Sequence, residues 1–333
     1  MLRLTSSRFS FLMSIYLITM QNLPSYSAEK KPLPPLSEVR IRSSLDGSMQ
    51  PALEWAPASA TRERTPLLVF LHSWGGNFKQ NNSHWQREAV RRNWIYLHPD
   101  FRGVNDKPEA CGSALARRDI LDAMDDLASR YKVDSTRIYL AGSSGGGHMT
   151  MLMASYYPDR FSAVSSWVGI SDLGEWHRFH VKAGEPQRYA RLLEKCCGGP
   201  PGHSPVVDAE YRERSPIFHL QNTGTLPIDL NAGVRDGHEG SVPVSQSLRA
   251  FNVIARQNGD PQVSETEMQQ LWEQQKLTAP LPSDREPDPA YERKIFLRRH
   301  SGDSRVTIFD GGHQGQPYSA TEWLSKQTRP TKQ

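Results

Sequence analysis

Three polar residues in separate segments have the side chains needed for nucleophilic acyl transfer: Ser144, Asp236 and His313. A serine hydroxyl is a weak nucleophile near neutral pH, so it needs a base to remove its proton as it attacks a carbonyl. His313 would take that proton and return it to the leaving group. Asp236 would hold the imidazole in the right tautomer and stabilise its charged form. The sequence therefore predicts a nucleophile, an acid and a base, in that chain order.

Ser144 lies in a run of small residues, Gly142-Ser143-Ser144-Gly145-Gly146-Gly147. We expect residues 137–141 to form a buried strand and residues 146–157 to form a helix. A Gly-x-Ser-x-Gly pattern on such a strand-to-helix turn is the nucleophile elbow of the α/β-hydrolases. Ser143 is the rival nucleophile, but it occupies the variable position of the pattern. An inert Gly/Ser-rich loop explains this composition poorly.

Asp236 and His313 each follow a predicted strand. Asp236 comes just after residues 226–232, and His313 lies in a Gly-rich loop after residues 305–309. The ends of such strands are where this fold carries its acid and its base. The rival acids are Asp172, Asp229 and Glu239, and the rival bases are His148 and His238.

The loop His72-Ser73-Trp74-Gly75-Gly76 follows the continuous apolar run at residues 67–71. Backbone amides in such a loop can stabilise the negative oxygen of a tetrahedral intermediate. We expect the amides of Trp74 and Gly145 to form the oxyanion hole. A plain strand-to-helix turn is the alternative, and His72 is expected to hold the loop rather than to act as a base.

Apolar runs alternate with helical patterns along the chain, which predicts an α/β fold. We expect a mostly parallel central sheet with helices on both faces, an entry hairpin near Asp46-Gly47 and a turn at residues 134–137. Residues 173–211 are rich in aromatic residues and predict a small cap insertion. Trp176 and Phe179 either line the substrate pocket or form the core of that cap. Residues 264–294 are polar and predict a surface excursion.

Composition excludes some classes of partner. The net charge of +4 is mild and no dense Lys/Arg block occurs, so nucleic-acid binding is not expected. No run of 18 apolar residues is present, so stable membrane insertion is not expected. Arg3 and Arg8 precede an apolar segment at residues 9–20, which indicates a secretory signal over residues 1–27 and a secreted or periplasmic protein. A short buried helix or a retained anchor is the alternative.

After this signal we expect a linker and the entry hairpin over residues 28–60, and then a catalytic domain over residues 61–330. Cys111 could pair with Cys196 or with Cys197, which leaves one thiol over. No Cys/His spacing indicates a zinc site, and the sequence implies neither a metal nor a cofactor.

The segment from Asp134 to Gly147 resembles the catalytic domain of the prolyl oligopeptidase family. The loop at residues 98–103, the helix at residues 119–126 and the order of Asp236 followed by Val242-Pro243 are similar to that family as well. The resemblance covers about residues 65–325, and it extends to secreted acetyl-xylan esterases, feruloyl esterases and polyhydroxybutyrate depolymerase-like proteins. It implies an α/β-hydrolase fold and a Ser-His-Asp triad.

The resemblance has departures. Residues 28–60 are too few for the β-propeller of oligopeptidases, and the oxyanion loop reads His-Ser-Trp-Gly-Gly. We therefore predict a secreted serine hydrolase acting through an acyl-enzyme on a small-molecule ester, an acylated carbohydrate or a short peptide, with esters favoured. The alternatives are a serine peptidase of the prolyl oligopeptidase type and a non-catalytic binding protein on a hydrolase scaffold.

Overall fold

A central sheet of nine strands organises the part of the chain that the computed structural model describes, residues 32–330. A separate pair of two-residue strands, Val181–Lys182 and Glu185–Pro186, lies in the insertion. The predicted signal segment lies outside the described residues. In chain order the strands are β1 Ser37–Arg42, β2 Met49–Trp55, β3 Thr65–Leu71, β4 Ile95–Pro99, β5 Val133–Ser143, β6 Ala163–Trp167, β7 Val181–Lys182, β8 Glu185–Pro186, β9 Ile228–Gly233, β10 Ile295–Ser301 and β11 Ser304–Phe309.

The strand order across the sheet is β1-β2-β4-β3-β5-β6-β9-β11-β10. Five of the eight neighbouring pairs described are parallel, and the antiparallel pairs lie towards the two edges. The carboxyl ends of parallel strands meet at one edge of a sheet, so the loops after β3, β5, β9 and β11 come together there. The predicted α/β class with a mostly parallel sheet is confirmed.

Helices cover both faces of the sheet. In chain order they are α1 Ser83–Arg91, α2 Ala114–Arg130, α3 Gly145–Tyr156, α4 Leu173–Phe179, α5 Arg188–Cys197, α6 Pro205–Glu213, α7 Ser245–Asn258, α8 Glu265–Gln274 and α9 Pro317–Leu324. Side chains alternate along a strand, and β3 shows the result. Leu67, Val69 and Leu71 join the core beneath α2, α3 and α7, whereas Leu68 and Phe70 join the core beneath α1 and α9.

The insertion after β6 folds as three helices, α4 to α6, around an apolar cluster of its own. Trp74 of the loop after β3 belongs to this cluster, and its ring lies 4.7 Å from that of Trp176. Burial of these large rings is worth a few kcal/mol each on the usual area scale, so the insertion and the loop are held together. The insertion therefore borders the carboxyl edge of the sheet.

Three features differ from the sequence-based expectation. The edge strand β10 was not predicted, because Arg298, Arg299 and His300 interrupt its apolar pattern. The predicted turn at residues 134–137 lies inside β5, where it bulges out between Val133 and Ile138. The predicted surface excursion is partly buried.

Burial of that excursion depends on ion pairs. Asp284 is 2% exposed and pairs with Arg299, and Asp288 pairs with Arg298 at 2.8 Å. Paired charges can be buried, whereas isolated ones cannot, which is why a polar segment is read from sequence as exposed. Among the described residues no helix is both long and apolar enough to cross a bilayer.

Candidate active site

Ser144 sits on the sharp turn between β5 and α3. Its backbone angles, φ +60° and ψ −121°, lie in a region that non-glycine residues rarely adopt. The turn is tight enough that a Cβ built at Gly142 would lie 2.3 Å from the carbonyl oxygen of Gly146, which excludes any side chain there. The Ser144 amide donates to the Trp167 carbonyl at 2.9 Å. The elbow is thus held from the neighbouring strand, β6.

The structure brings Ser144, His313 and Asp236 into direct contact. The Oγ of Ser144 lies 2.8 Å from Nε2 of His313, and Nδ1 of His313 lies 2.8 Å from Oδ2 of Asp236. With the proton on Nδ1 donated to Asp236, Nε2 is free to accept from the serine hydroxyl. This is the geometry in which an imidazole can act as a general base.

Asp236 is fully buried, and backbone amides hold its second oxygen. Oδ1 accepts from Gly237 N at 2.9 Å and from Val242 N at 3.2 Å. These bonds fix the carboxylate plane, so that Oδ2 points at His313. Sequence reasoning missed Gly240, where a Cβ would lie 2.5 Å from Cβ of His313 and 2.2 Å from Oδ1 of Asp236. In the sequence, the only indication of this close approach is that position 240, at the start of the Gly-Ser-Val-Pro run after Asp236, is a glycine.

The rival acids lie in other contacts. Asp172 caps α4 by accepting from Glu175 N at 2.9 Å. Asp229 is fully buried on β9, where it pairs with Arg305 at 2.7 Å. Glu239 pairs with Arg235 at 3.1 Å on the surface.

The rival bases and the rival nucleophile are also placed elsewhere. Nε2 of His148 faces the Arg214 carbonyl at 2.7 Å, and burial lowers the pKa of His148 to about 4. Nε2 of His238 faces the Trp272 carbonyl at 2.9 Å. The Oγ of Ser143 is buried without a hydrogen-bond partner among the described residues, on the side of Gly315.

The amides of Trp74 and Gly145 lie close together beside the nucleophile. A Cβ built at Gly145 would lie 2.4 Å from Trp74 N, so a side chain at this position would displace the loop. Neither amide donates to an acceptor within residues 32–330. Buried amides are normally paired, so two free ones beside a serine are able to donate to a negative oxygen.

His72 supports this loop from behind. Its ring is fully buried and stacks on Phe101, with centroids 3.8 Å apart. Nδ1 lies 3.0 Å from the Ser73 carbonyl oxygen, and Nε2 lies 2.6 Å from the Asp100 carbonyl oxygen. Burial lowers the pKa of His72, and the two carbonyl contacts and the Asp100 carboxylate oppose that shift. The residue is placed to hold the loop, as the sequence led us to expect.

The two aromatic residues expected at the pocket have different positions. Trp176 is fully buried, and its Nε1 donates to the Ser241 carbonyl at 2.7 Å. It therefore belongs to the core of the insertion, one of the two positions that the sequence predicts for it, and does not line an open pocket. Phe179 is half-buried and contacts the rings of His180 and Trp272. Within residues 32–330 no group of three His, Cys, Asp or Glu side chains has the arrangement of a metal site.

The α/β fold with its serine elbow defines a serine hydrolase. The family model described as the prolyl oligopeptidase family matches residues 81–270, more than half of the chain. The chain belongs to that family.

Relatives of the chain include esterases. It is 31% identical over 119 residues to an acetylxylan esterase of Coprinopsis cinerea, which is 32% of either chain. It is 42% identical over 106 residues to acetylxylan esterase A of Aspergillus awamori, covering 28% of this chain and 35% of that protein. It is 28% identical over 117 residues to feruloyl esterase B of Neurospora crassa, covering 32% of this chain and 39% of that protein.

Among solved structures, an acylaminoacyl peptidase of Pyrococcus horikoshii is similar with a TM-score of 0.61 and 19% identity. The match covers 90% of this chain and 42% of that one. At this identity the likeness shows the fold alone. The chain thus spans less than half of the length of each of these relatives.

Proposed function

We propose that the protein is a carboxylic ester hydrolase that uses Ser144, His313 and Asp236 as its catalytic triad. One observation carries the proposal: the continuous pair of 2.8 Å contacts from the Ser144 hydroxyl through His313 to the buried Asp236 carboxylate. The two unpaired amides of Trp74 and Gly145 beside the same hydroxyl support it.

The acylation step uses each group once. His313 Nε2 takes the proton of Ser144 as Oγ attacks the ester carbonyl, and the carbonyl oxygen becomes negative. The Trp74 and Gly145 amides donate to that oxygen, and each such donor is typically worth about 3 kcal/mol to the transition state. Asp236 stabilises the imidazolium, which then protonates the departing alcohol. An acyl-Ser144 ester remains.

Deacylation repeats these roles with water. His313 removes a proton from a water molecule that attacks the acyl-Ser144 carbonyl, and the same two amides stabilise the second tetrahedral oxyanion. The imidazolium returns its proton to Ser144 Oγ, so the carboxylic acid product leaves and the enzyme is regenerated. No other group is needed for the cycle.

An ester fits better than a peptide, since relatives named as acetylxylan and feruloyl esterases are 28–42% identical to this chain over stretches of 106–119 residues. We propose acyl esters of carbohydrates as the substrate class. Peptide cleavage of the prolyl oligopeptidase type is the second candidate, favoured by the family match. Hydrolysis of p-nitrophenyl acetate is compared with that of a Gly-Pro p-nitroanilide, and fast cleavage of the anilide with negligible ester cleavage would reverse the order.

The triad is tested with a fluorophosphonate probe, which forms a covalent bond with an activated serine. We expect the full chain to be labelled and Ser144→Ala to be unlabelled. Ser143→Ala is the matched control, because Ser143 Oγ makes no hydrogen bond to the described residues, His313 included, and it should still be labelled. Labelling that survives in Ser144→Ala would overturn the assignment.

Export is also a proposal, and it is supported by the positive start and the apolar segment of residues 1–27. The protein is expressed with its N-terminus intact, and the amino-terminal residue of the mature form is sequenced from the medium or the periplasm. We expect a start near Ala28. A cytoplasmic protein that keeps Met1 or Leu2 would contradict export.

A further inference from the structure

The insertion places one positively charged side chain, that of Arg188, against the proposed oxyanion loop. Arg188 is the first residue of α5, and a Cβ built at Gly75 would lie 3.6 Å from its Nη2 atom. Gly75 directly follows Trp74, whose amide is one of the two proposed oxyanion donors. Consecutive Cα atoms are about 3.8 Å apart, so the guanidinium group lies beside the residue next to that proposed donor.

The charge of Arg188 is not neutralised by the fold. No carboxylate forms an ion pair with it within residues 32–330, as is also true of Arg178, Arg191 and Arg212 of the insertion, whereas Arg214 pairs with Glu210 at 2.6 Å. The Arg188 side chain is exposed, and its guanidinium carbon lies 5.6 Å from the centre of the Tyr189 ring. Contact with an aromatic ring orients a guanidinium group and leaves its N–H donors free.

Tyr189 links this cation to the buried part of the site. Its ring lies 4.9 Å from that of Trp176, and Trp176 packs against Trp74 of the oxyanion loop. Arg188 therefore lies next to a packed row of three rings, those of Tyr189, Trp176 and Trp74. A planar guanidinium with free donors suits a carboxylate, which it can bind through two parallel hydrogen bonds.

We propose that Arg188 is a specificity residue that binds a carboxylate of the substrate, so that the enzyme prefers esters carrying a negative charge near the scissile bond. The inference rests on the proposed ester hydrolase function and adds the charge of its substrate. The carboxylate belongs either to the acyl part or to the alcohol part of the ester. An acylated acidic carbohydrate carries it on the alcohol part.

Two matched pairs of esters test the proposal with the full-length protein. Monoethyl and diethyl adipate differ by one charge on the acyl side. The ion 4-acetoxybenzoate and its methyl ester differ by one charge on the alcohol side. The value of kcat/KM is measured for all four compounds with the wild type, Arg188→Gln, Arg188→Lys and the control Arg191→Gln. Arg191 lies three residues along α5, is also exposed, and donates instead to the Pro186 carbonyl at 2.6 Å.

We expect Arg188→Gln to lower kcat/KM about tenfold for the charged member of one pair and to leave the neutral members unchanged, since an exposed charge-assisted bond is partly screened by water. Arg188→Lys should retain part of the preference, and Arg191→Gln all of it. The pair that responds identifies the side that carries the carboxylate. Added salt should reduce the preference of the wild type.

Other outcomes overturn the inference. An equal loss for charged and neutral esters would mean that Arg188 supports the oxyanion loop itself, and no loss for any ester would mean that its charge is only solvated. Both leave the ester hydrolase function standing. A wild type that hydrolyses none of the four esters and no p-nitrophenyl acetate would instead overturn the proposed function, and the inference with it.

Discussion

Nδ1 of His72 lies 3.0 Å from the carbonyl oxygen of Ser73, and the peptide group that carries this oxygen also carries the amide of Trp74. With a proton on Nδ1, the ring donates to that carbonyl, which also accepts from Gly76 N at 3.0 Å, and both bonds hold the plane of the peptide. The N–H of Trp74 points in the direction opposite to the carbonyl, so the same bonds hold the proposed oxyanion donor. His72 lies outside the proposed triad, and we expect it to help position that donor.

Two substitutions at His72 each remove one of its two contacts with carbonyl oxygens and keep the other. The Nδ2 of asparagine can replace Nδ1, and the Nε2 of glutamine can replace Nε2. We expect His72→Asn to keep the contact with Ser73, and His72→Gln to keep only the contact with Asp100. His72→Gln should therefore lower kcat by about tenfold or more with little change in KM, because an ill-placed oxyanion donor weakens only the transition state. Thermal unfolding of both variants is the control for folding, and equal kcat values in two equally folded variants would contradict the assignment.

Asp236→Asn should lower kcat by about four orders of magnitude. An asparagine donates to Nδ1 and so leaves the proton on Nε2, which can then no longer accept from Ser144. The matched control is Asp172→Asn, since Asp172 caps α4 and does not touch His313. That variant should keep its activity and lose at most about 1 kcal/mol of stability. Steady-state kinetics on p-nitrophenyl acetate check both, and a fully active Asp236→Asn would exclude the proposed triad.

Acid should destabilise the fold through two buried histidines. Burial lowers the pKa of His98 and that of His148 to about 4 each, from an ordinary value of 6.5. Between pH 4 and pH 6.5 these two histidines bind more protons in the unfolded chain than in the folded one. Stability is therefore lost as the pH falls below 6.5. Each histidine should reduce the free energy of unfolding by about 2 kcal/mol between pH 7 and pH 5. Urea unfolding measures the change, and His148→Asn should show a smaller pH dependence. An equal dependence in that variant would refute the role of His148.

The three cysteines should be inert in the folded protein. Cys111, Cys196 and Cys197 are free thiols buried in the apolar cluster of the insertion. Burial raises the pKa of Cys111 and raises that of Cys197 to about 12, and the thiolate is the reactive form. Titration with a thiol reagent at pH 8 should find no fast reaction in the native state and three thiols per chain after unfolding. A count of one after unfolding would instead indicate the alternative of a disulfide to Cys111.

Features that depend on local pattern were predicted from the sequence. An apolar strand, a run of small residues and a helical segment were enough to predict the elbow. Asp236 and His313 were predicted because each lies in a loop that follows a strand, where this fold carries its functional residues. The α/β class is confirmed, and the three side chains are in contact, while their catalytic roles stay predictions. The sequence also led us to expect that His72 holds its loop, and its ring nitrogens face the carbonyls of Ser73 and Asp100.

Features that depend on distant partners were not predicted. Strand β10 carries arginines that become buried only because Asp284 and Asp288 return to meet them. Trp176 is an aromatic residue of the kind that often lines a pocket, yet its neighbours in the insertion enclose it completely. The approach of Arg188 to Gly75 joins segments more than a hundred residues apart, and no local pattern indicates it.

The sequence separation within the triad has a consequence for biosynthesis. Ser144 and His313 are 169 residues apart, and β11 must join β9 at the far side of the sheet before the loop that bears His313 takes its place. A chain still emerging from the ribosome therefore holds Ser144 without the base proposed for it. On the proposed mechanism, ester hydrolysis begins only after the last strand has joined the sheet, so a truncated chain that lacks β11 should be inactive.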